Sequence, residues 1–383
     1  MQHHKSSAWN TRLNFQPAPR VAVIGGGIAG LTCARELVLR GCEPVVFEAS
    51  GRLGGRCSSR NTRIGLFDDG AQSISGATRL AAYALQHPGE LAALHPWTVA
   101  ATPAEEDRAA KGWKKDEDEA DVTRTLKLLG AVGVPSMAAL AQTLSEPLDT
   151  RLNTPILQAQ RQGGQWILSG LAGPVDEDFQ ALVLAVPAPL ALPLAMASPE
   201  LSQALRAVRY RSRWVLLLGS ERPVALPGYR EFQGSPIERV AAMHSKPGRS
   251  TSGHQRWFIE ADERWSLQHE HDDAETVADL LLDIFRAHAA GRSVSPSLLQ
   301  AQQWQHAFVQ TPAITPSHSE CLWDDAMRLG VCGDSVVTSQ VDRVHRSGVD
   351  MARTLAEGLA ARHERSAFSV RDPNFDHLLE AQL

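Results

Sequence analysis

The chain lacks the features that mark membrane and nucleic-acid-binding proteins. Its 383 residues carry a net charge of −5, so no excess of positive charge favours nucleic acid or an anionic membrane surface. The longest apolar run, residues 181–197, is interrupted by Pro187, Pro189 and Pro193, whereas a membrane-spanning helix needs about 20 uninterrupted apolar residues. We therefore expect no membrane span, and we interpret this run as a buried strand that enters a proline-rich loop.

Cysteine is scarce as well. The five cysteines include no C-x-x-C pair and no zinc-ligand spacing. An odd, scattered set is typical of a reducing compartment, and residues 1–20 contain no apolar segment of a secretory signal. We therefore expect a cytoplasmic protein whose residues 1–18 form a flexible leader. The cysteines are Cys33, Cys42, Cys57, Cys321 and Cys332.

Clusters of histidine and acidic residues are few, and the most prominent one has a structural explanation. His269, His271, Asp272 and Asp273 stand at the polar start of a helical pattern over residues 274–288, where such side chains are common. We therefore expect no metal site.

The bulk composition, 43% hydrophobic and 21% charged, is that of a globular protein. The length allows two or three domains, and the charge run at 105–119 is typical of a solvated loop. Apolar periodicity predicts helices at 28–40 (with Gly41 as its C-cap), 137–144 (with Ser136 as its N-cap), 199–209, 274–288 and 347–359. It predicts strands at 21–24, 45–47, 155–158, 165–168, 181–186, 214–218 and 256–260, and a short strand within 327–334.

One segment near the start of the chain has a specific pattern. A short apolar strand over residues 21–24 enters a G-x-G-x-x-G turn at residues 25–30. A helical pattern follows to about Arg40, and a second apolar strand over 45–47 ends on Glu48. This order of strand, glycine turn, helix, strand and acid predicts a βαβ unit that binds a dinucleotide.

Each part of this unit has a physical role. Gly25 allows the tight turn, Gly27 lets the backbone approach the pyrophosphate, and Gly30 lets the helix pack closely on the strand. The first-turn N–H groups and the positive end of the helix dipole face the phosphates. Glu48 is expected to accept hydrogen bonds from the adenosine ribose hydroxyls.

Two further features favour FAD over a nicotinamide cofactor. Gly54-Gly55-Arg56 closely follows Glu48, so a second loop approaches the extended cofactor and Arg56 brings a cation near its phosphates. Gly333-Asp334, near the other end of the chain, offers a carboxylate to the ribityl chain. A helix beginning near Ser347 would direct its N-terminal dipole at the flavin pyrimidine carbonyls.

These motifs resemble the FAD-dependent amine oxidase superfamily and, within it, the renalase-like branch. The resemblance runs from about residue 20 to about residue 360. It implies an α/β fold in which a Rossmann-like FAD-binding domain carries an inserted substrate domain with a mixed or antiparallel sheet, as in p-hydroxybenzoate hydroxylase. The residues that carry it are 21–30, Glu48, 55–60, 67–72, 133–137, 185–189, Trp265-Ser266 with His269, 304–307 and Gly333-Asp334.

The nucleotide-binding fold is expected to begin near residue 20 and to finish near residue 362, with the substrate domain inserted between its halves. The predicted FAD-binding domain comprises residues 19–95, 132–190 and 320–362, the substrate domain comprises 96–131 and 191–319, and a C-terminal tail covers 363–383.

The resemblance also implies a set of cofactor contacts. Arg56 would contact the phosphates, and Asp334 would contact the ribityl chain. Ala71 and Gln72 would lie at the ring, and the backbone of Ile156 would contact adenine. The predicted cofactor-binding residues are Gly25, Gly27, Ile28, Ala29, Gly30, Glu48, Ala49, Gly54, Gly55, Arg56, Ala71, Gln72, Ile156, Gly333 and Asp334, and the predicted substrate-pocket residues are Gln72, Trp304, His306 and His345.

Renalases oxidise dihydro isomers of NAD(P) that lie off the normal pathway. The resemblance therefore implies hydride transfer from such an isomer, or from a similar planar donor, to flavin N5. Reoxidation by O2 would then give hydrogen peroxide, so the expected partners are a small-molecule substrate and O2. Aromatisation drives hydride loss from a dihydronicotinamide, and we name no catalytic acid or base.

Several pocket positions depart from the family pattern and leave the substrate open. Ser73 and Ile74 stand where the family usually has aromatic residues, and Gln305-His306 follows Trp304 where the family often has Arg-Tyr. An alternative is an FAD-dependent amine oxidase or desaturase. A basic amine favours an aromatic cage, and the chain has only three tyrosines. A third alternative is a flavoprotein whose FAD is structural.

Overall fold

Three predicted segments lie wholly or partly outside the part of the chain that the structure describes, namely the loop at 105–119, residues 1–16 of the leader and residues 370–383 of the C-terminal tail. The structure, a computed structural model, describes residues 17–75, 93–100, 126–251, 253–289, 294–313 and 319–369.

Within these residues the strands form three larger sheets and two sheets of two strands each. The α-helices are α1 Ile28–Leu39, α2 Ala138–Ser145, α3 Ala188–Ala191, α4 Pro199–Ala207, α5 Glu263–Gln268, α6 Ala274–His288 and α7 Val341–Ser369, with short 3-10 helices at Gly55–Cys57, Leu192–Ala195 and Met243–Ser245. The strands are β1 Arg20–Ile24, β2 Glu43–Phe47, β3 Ser59–Thr62, β4 Gly65–Asp68, β5 Leu94–Ala100, β6 Leu126–Gly133, β7 Asp149–Arg151, β8 Ile156–Gln162, β9 Gln165–Gly170, β10 Gly173–Phe179, β11 Ala181–Leu184, β12 Arg209–Ser220, β13 Tyr229–Glu231, β14 Ile237–Ala242, β15 Gln255–Ala261, β16 Pro296–Thr311, β17 Leu322–Asp324 and β18 Leu329–Val331.

The central sheet brings together segments from both ends of the chain. Its strand order is β17-β18-β11-β1-β2-β7, and all neighbours pair in parallel except β17 with β18. Val21, Ala22 and Val23 of β1 are fully buried, as expected for a parallel strand covered on both faces. The carboxyl ends of the parallel strands share one edge, where ligands bind in open α/β sheets.

Helices α1 and α7 cover one face of this sheet, and they pack very closely against each other. A Cβ on Gly348 of α7 would lie 2.5 Å from the carbonyl oxygen of Ala29 in α1, so a side chain at this position would clash with the α1 backbone. Leu31, Met351 and Leu355 are fully buried in the core between these elements.

The opposite face is covered by the antiparallel sheet β8-β9-β10. Trp166, Leu168 and Phe179 from this sheet are fully buried against β1 and β11. The ring of Phe179 meets that of Phe47 edge-on, with centroids 5.9 Å apart. The central sheet is therefore covered on both faces, as its near-continuous apolar strands require.

The second large unit is a five-stranded antiparallel sheet with the order β13-β14-β15-β12-β16. Successive side chains along each strand point to opposite faces of this sheet, as strand geometry requires. Trp257 and Ile259 face outward and pack with Phe285 of α6. Val215 and Phe258 face inward, toward the central sheet. This sheet therefore forms a roof over the edge where the parallel strands end.

The polar residues before α6 have local roles. Asp273 accepts a hydrogen bond from the Thr276 backbone N–H (2.9 Å) as the helix N-cap, and His269 pairs with Asp272 through Nδ1 and Oδ2, 2.6 Å apart. Among the described residues, no three His, Cys, Asp or Glu side chains are grouped to hold a metal ion. No helix in the described ranges is long and apolar enough to cross a bilayer.

The predicted fold class, an α/β Rossmann-like domain combined with mixed and antiparallel sheets, is confirmed. Helix α6 spans the predicted residues 274–288, and α1 ends at Leu39, one residue before the predicted end. Gly41 has a φ of +76°, the left-handed conformation predicted for a helix C-cap.

One predicted helix start and one predicted helix cap are wrong. Helix α7 begins at Val341 rather than near Ser347, whose hydroxyl instead accepts a hydrogen bond from Gly333 N (2.8 Å) inside the helix packing. Ser136 does not cap α2 with its side chain. Asp68 Oδ1 and Ser59 Oγ accept from the backbone N–H groups of residues 137 and 138 at 2.9 and 3.2 Å, and distant side chains satisfy the helix start instead.

Candidate functional site

A cavity of about 860 Å³ lies between the carboxyl edge of the central sheet and the five-stranded roof. This volume is within the range of small-molecule sites, roughly 300–1,000 Å³. Its lining includes every predicted cofactor-binding residue except Gly30, together with three of the four predicted substrate-pocket residues. The sequence pattern therefore identifies residues that the fold brings to one cavity.

The glycine turn forms one wall. Gly25 has a φ of +112°, and a Cβ there would lie 2.6 Å from the Ala185 carbonyl oxygen. A Cβ on Gly30 would lie 2.0 Å from the Gly25 carbonyl oxygen, so Gly30 permits close packing of the helix on the strand, as predicted, without lining the cavity. A Cβ on Gly27 would meet no atom within 4 Å, although Gly27 lines the cavity. A side chain at residue 27 would therefore enter the space that a ligand would use.

The start of α1 has no side-chain cap and no acidic residue in its first turn. The first N–H groups of a helix lack partners within the helix, and the positive end of the dipole adds to their attraction for anions. Ile28 and Ala29 of this turn line the cavity. The turn can therefore accept a phosphate group.

A second loop packs directly on the first. The backbone N–H of Gly54 donates to the Gly26 carbonyl (2.8 Å), and residues 27 and 54 form an isolated parallel bridge. A Cβ on Gly55 would lie 3.5 Å from the Gly27 Cα. Both glycines have positive φ values, +102° and +54°, so the close approach depends on glycine here.

Glu48 stands at the end of β2, where the first loop and the strand meet. Its Oε2 accepts from the Gly26 N–H (2.9 Å), and its Oε1 accepts from the Ser50 N–H (2.9 Å) and hydroxyl (2.8 Å). These bonds fix the carboxylate at the cavity wall beside Ala49 and Ile156. A carboxylate has about four acceptor sites, so it can also accept from a ligand hydroxyl.

The Arg56 guanidinium and the Asp334 carboxylate form an ion pair inside the cavity wall. Arg56 Nη1 also donates to the His306 carbonyl (2.9 Å), and Asp334 accepts from the Tyr210 hydroxyl (3.3 Å) and the Ser339 hydroxyl (3.0 Å). Burial lowers the pKa of Arg56, but the charge and the hydrogen bond of Asp334 together outweigh it and leave that pKa above its usual value. Burial, with Asp334 next, raises the pKa of Tyr210 to about 12.

A buried charge network orients Gln72. Its Nε2 donates to the carbonyls of Asp68 (3.0 Å) and Gly70 (2.8 Å), while its Oε1 accepts from Lys246 Nζ (2.8 Å). Asp68 Oδ2 also receives Lys246 Nζ (2.9 Å) and Arg249 Nη2 (2.6 Å). The side-chain amide of Gln72 therefore has one fixed orientation beside Ala71 in the cavity wall.

The pKa values in this network reflect burial and opposite charges. Burial would raise the pKa of Asp68, but the Lys246 and Arg249 charges outweigh it and lower that pKa to about 2. Burial lowers the pKa of Lys246 to about 8, although Asp68 opposes the shift.

Trp304 and His306 line the cavity as predicted, and each is held by a protein contact. The indole N–H of Trp304 donates to the Asp69 carbonyl (2.9 Å). The His306 ring meets Tyr210 edge-on, with centroids 5.1 Å apart. Burial lowers the pKa of His306, and the Arg56 charge adds to this shift.

The structure does not bring His345 to the cavity. Val341 and Val344 line the cavity on this side, whereas His345 lies among Glu36 and Asp342, and its burial lowers its pKa. Helix α7 begins six residues before the predicted start, so Val341 and Val344 lie on its cavity side.

Sequence reasoning missed the roof of the cavity. Arg213 and Val215 in β12, and Phe258 and Glu260 in β15, alternate along their strands and line the cavity from the five-stranded sheet. The available signal was a charged residue beside or within an apolar strand, as in residues 213–218 and 256–260. Tyr229 and Arg239 complete the roof.

Comparisons with known proteins agree with this fold. A family model for an NAD(P)-binding Rossmann-like domain matches residues 23–85. Protoporphyrinogen oxidase 2 of Arabidopsis thaliana is 43% identical over 58 residues, which is 15% of this chain and only 11% of the plant protein.

Solved structures match over most of the chain at low identity. Cyclohexylamine oxidase from Brevibacterium oxydans IH-35A has a TM-score of 0.65 at 13% identity and covers 90% of this chain and 100% of its own. A protein from Exiguobacterium sp. 255-15 with a provisional protoporphyrinogen oxidase name has a TM-score of 0.66 at 15% identity, covering 88% and 99%. The chain therefore shares the fold of these proteins.

Proposed function

We propose that this protein is an FAD-dependent oxidoreductase that oxidises a small-molecule donor and uses O2 as the electron acceptor. The observation that carries the proposal is a single cavity that joins the glycine turn, the Gly54-Gly55 loop and the Arg56–Asp334 pair to Gln72 and Trp304 under the roof. One end has the groups that dinucleotide phosphates need, and the other has aromatic and amide groups. The similarity to oxidases in fold supports the same class of reaction.

The residues of the cavity fit this cofactor. Ile28 and Ala29 at the start of α1 would bind the pyrophosphate, and the open space in front of Gly27 would admit it. Glu48 would accept hydrogen bonds from the adenosine ribose, with Ala49 beside it and the backbone of Ile156 at the adenine.

The other end of the cofactor would lie under the roof. Asp334, beside Gly333, would bind the ribityl hydroxyls, and Arg56 would contact the phosphates. Ala71 and Gln72 would lie at the ring, where the Lys246 hydrogen bond holds the Gln72 amide in place.

When bound, FAD accepts a hydride from the donor and passes the electrons to O2, giving hydrogen peroxide. The chain itself orients the donor and excludes bulk water, with Trp304, Val215 and Phe258 forming apolar walls. We assign no residue as a catalytic acid or base, because hydride loss that restores an aromatic ring needs no proton transfer to or from the protein.

The leading substrate class is a dihydro isomer of NAD(P) or a similar planar donor. Trp304 offers such a donor a flat surface. The alternative is an amine oxidase or a desaturase. Tyr229 and Phe258 supply aromatic rings for an amine, but Glu260, the carboxylate that lines the same end of the cavity, is already paired with Arg239. Arg213 at this end has N–H groups without an acceptor among the described residues, which disfavour a cationic donor. This observation favours a neutral or anionic donor over a basic amine.

A donor screen tests the proposal. The purified protein should be yellow, and an isomeric dihydro-NAD(P) should bleach the flavin under anaerobic conditions while benzylamine does not. Bleaching by benzylamine alone would support the amine oxidase alternative, and bound flavin that no donor bleaches would support a structural FAD. Readmission of O2 should restore the colour and release hydrogen peroxide. The division into domains and the cytoplasmic location stay predictions.

A further inference from the structure

Arg213 is a buried cation that the proposed contacts with FAD leave unused. It lies on β12 opposite Trp304 of β16, and 8% of its surface is exposed. Its side chain lines the cavity on the same strand face as Val215. It therefore belongs to the roof, beside the end of the cavity where the donor would lie.

Two donors of this guanidinium have no acceptor. Among the described residues, Arg213 Nε and Nη1 are buried without a hydrogen-bond partner. The nearest carboxylate oxygens belong to Glu238 (3.4 Å from Nη2), Glu260 (3.6 Å from Nε) and Glu263 (3.7 Å from Nη2). These groups offset the charge of Arg213 at a distance without satisfying Nε or Nη1.

Two of these carboxylates are committed to other arginines. Glu260 receives Arg239 Nε (2.8 Å) and Nη2 (2.9 Å) as a bidentate pair, and Glu263 receives Arg211 Nη1 (2.6 Å). A shift of either toward Arg213 would break a shorter bond. Because a buried donor without an acceptor is costly, the free N–H groups are suited to an acceptor that enters with the ligand.

The surroundings define the chemistry of that acceptor. Arg N–H groups bind planar carboxylates and phosphates. Three glutamates lie within 4 Å of this guanidinium, and their negative charges disfavour a dianion such as a phosphate monoester. Val215 and Phe258 make the adjoining wall apolar. The best match is one carboxylate on an apolar or aromatic body.

The geometry points to Arg213 as the residue that binds a carboxylate of the donor, so that monocarboxylic acids with an apolar or aromatic body are among the planar donors that the enzyme oxidises. This inference rests on the proposed function, because the carboxylate would hold the donor beside the flavin. Arg213 is then a substrate-binding residue that determines specificity.

Binding of simple acids to the flavin-loaded protein tests this inference. Benzoate, phenylacetate and 3-phenylpropionate would each be titrated against the matching carboxamide, with the change in the flavin spectrum as the readout. We expect at least one acid to bind about ten- to a hundredfold more tightly than its amide, the range for a hydrogen bond to a charged group. Arg213→Met should abolish this preference, and Arg213→Lys should retain part of it.

Arg209→Met is the matched control, because Arg209 is exposed on the same strand, does not line the cavity and donates to the Arg206 and Val208 carbonyls rather than to the glutamates around Arg213. It should keep the preference for acids. Equal binding of every acid and its amide to the wild-type protein would overturn the inference even if no Arg213 variant folds. An unchanged preference in a folded, yellow Arg213→Met protein would also overturn it. A wild-type protein that binds no flavin would instead contradict the proposed function.

Discussion

Arg56 and Asp334 are 278 residues apart in the sequence and form an ion pair in the cavity wall. Arg56 belongs to the loop after β2, and Asp334 follows β18. The strands that precede them are part of one sheet, so the pair joins the early and late segments of the chain at the proposed ribityl position. Tyr210 from the roof donates to the same carboxylate, which ties the second unit to this point.

Removal of one partner should therefore cost both stability and cofactor binding. Asp334→Ala leaves the Arg56 charge without its partner, and we expect the free energy of unfolding to fall by about 1–3 kcal/mol. FAD affinity should fall as well. Urea unfolding and flavin titration measure the two effects.

Asp178→Ala is the control for this substitution, because Asp178 is exposed on β10. It should change stability by less than about 0.5 kcal/mol. The double variant Arg56→Met/Asp334→Ala should lose less stability than the sum of the single variants. Additive losses would contradict an energetic coupling between the two residues.

Substitution by alanine should have different effects on stability and FAD affinity at Gly27 and at Gly30. A Cβ on Gly27 meets no protein atom within 4 Å, whereas one on Gly30 falls 2.0 Å from the Gly25 carbonyl oxygen. Gly27→Ala should leave the apoprotein stable within about 0.5 kcal/mol and reduce FAD affinity, because the methyl group enters the cavity. Gly30→Ala should destabilise the apoprotein by about 1–3 kcal/mol.

Thermal unfolding of the apoprotein and flavin titration separate these two cases. A Gly27→Ala protein that binds FAD as tightly as the wild type would place the pyrophosphate elsewhere.

The buried Asp68 carboxylate should make stability depend on acid pH. Its pKa in the folded protein is about 2, below the ordinary value of 3.8. The unfolded chain therefore binds a proton more readily, and the contribution of Asp68 is complete above the unfolded pKa and is lost as the pH falls from about 4 toward 2. This contribution is roughly 2 kcal/mol.

Urea unfolding of the wild type and Asp68→Asn from pH 5 to pH 2 measures this contribution. At pH 5 the variant should be less stable by about 3–5 kcal/mol, because it leaves Lys246 and Arg249 without their counter-charge. The difference in stability between the two proteins should shrink as the pH falls from about 4 toward 2. A difference that stays constant with pH would contradict this assignment.

Trp304 should affect turnover more than cofactor content. Its indole ring lines the donor end of the cavity, and its N–H bonds to the Asp69 carbonyl. Trp304→Ala removes both the surface and the bond, and we expect the rate of flavin reduction to fall about tenfold, while FAD content is retained. Trp304→Phe keeps an aromatic surface and should lose less. Stopped-flow reduction of the two variants tests this ranking, and equal rates would rule out a stacking role.

The sequence predicts those parts of this site whose structure is decided by residues close together in the sequence. The strand, glycine turn and helix at 21–39 and Glu48 are local patterns, and each agrees with the structure. Helix α6 has a clear apolar period and an N-cap at Asp273, so its bounds were predicted correctly. Local propensity and capping decide such elements.

The parts that the sequence does not predict depend on distant contacts. The start of α2 is satisfied by Asp68 and Ser59 rather than by Ser136, and no local pattern contains those partners. Arg213 was missed because strand register, which pairs it with Trp304, decides that it faces the cavity. His345 was misplaced because the start of α7 was predicted six residues too late.

The central claim is that this cavity holds one FAD between the glycine turn and Asp334. The most direct measurement is a titration of the apoprotein with FAD, for the wild type and the Gly27→Ala protein. Binding is monitored through the quenching of flavin fluorescence. The account predicts saturation at about one FAD per chain and clearly weaker binding by Gly27→Ala. A wild-type protein that binds no FAD, or a variant with unchanged affinity, would contradict it.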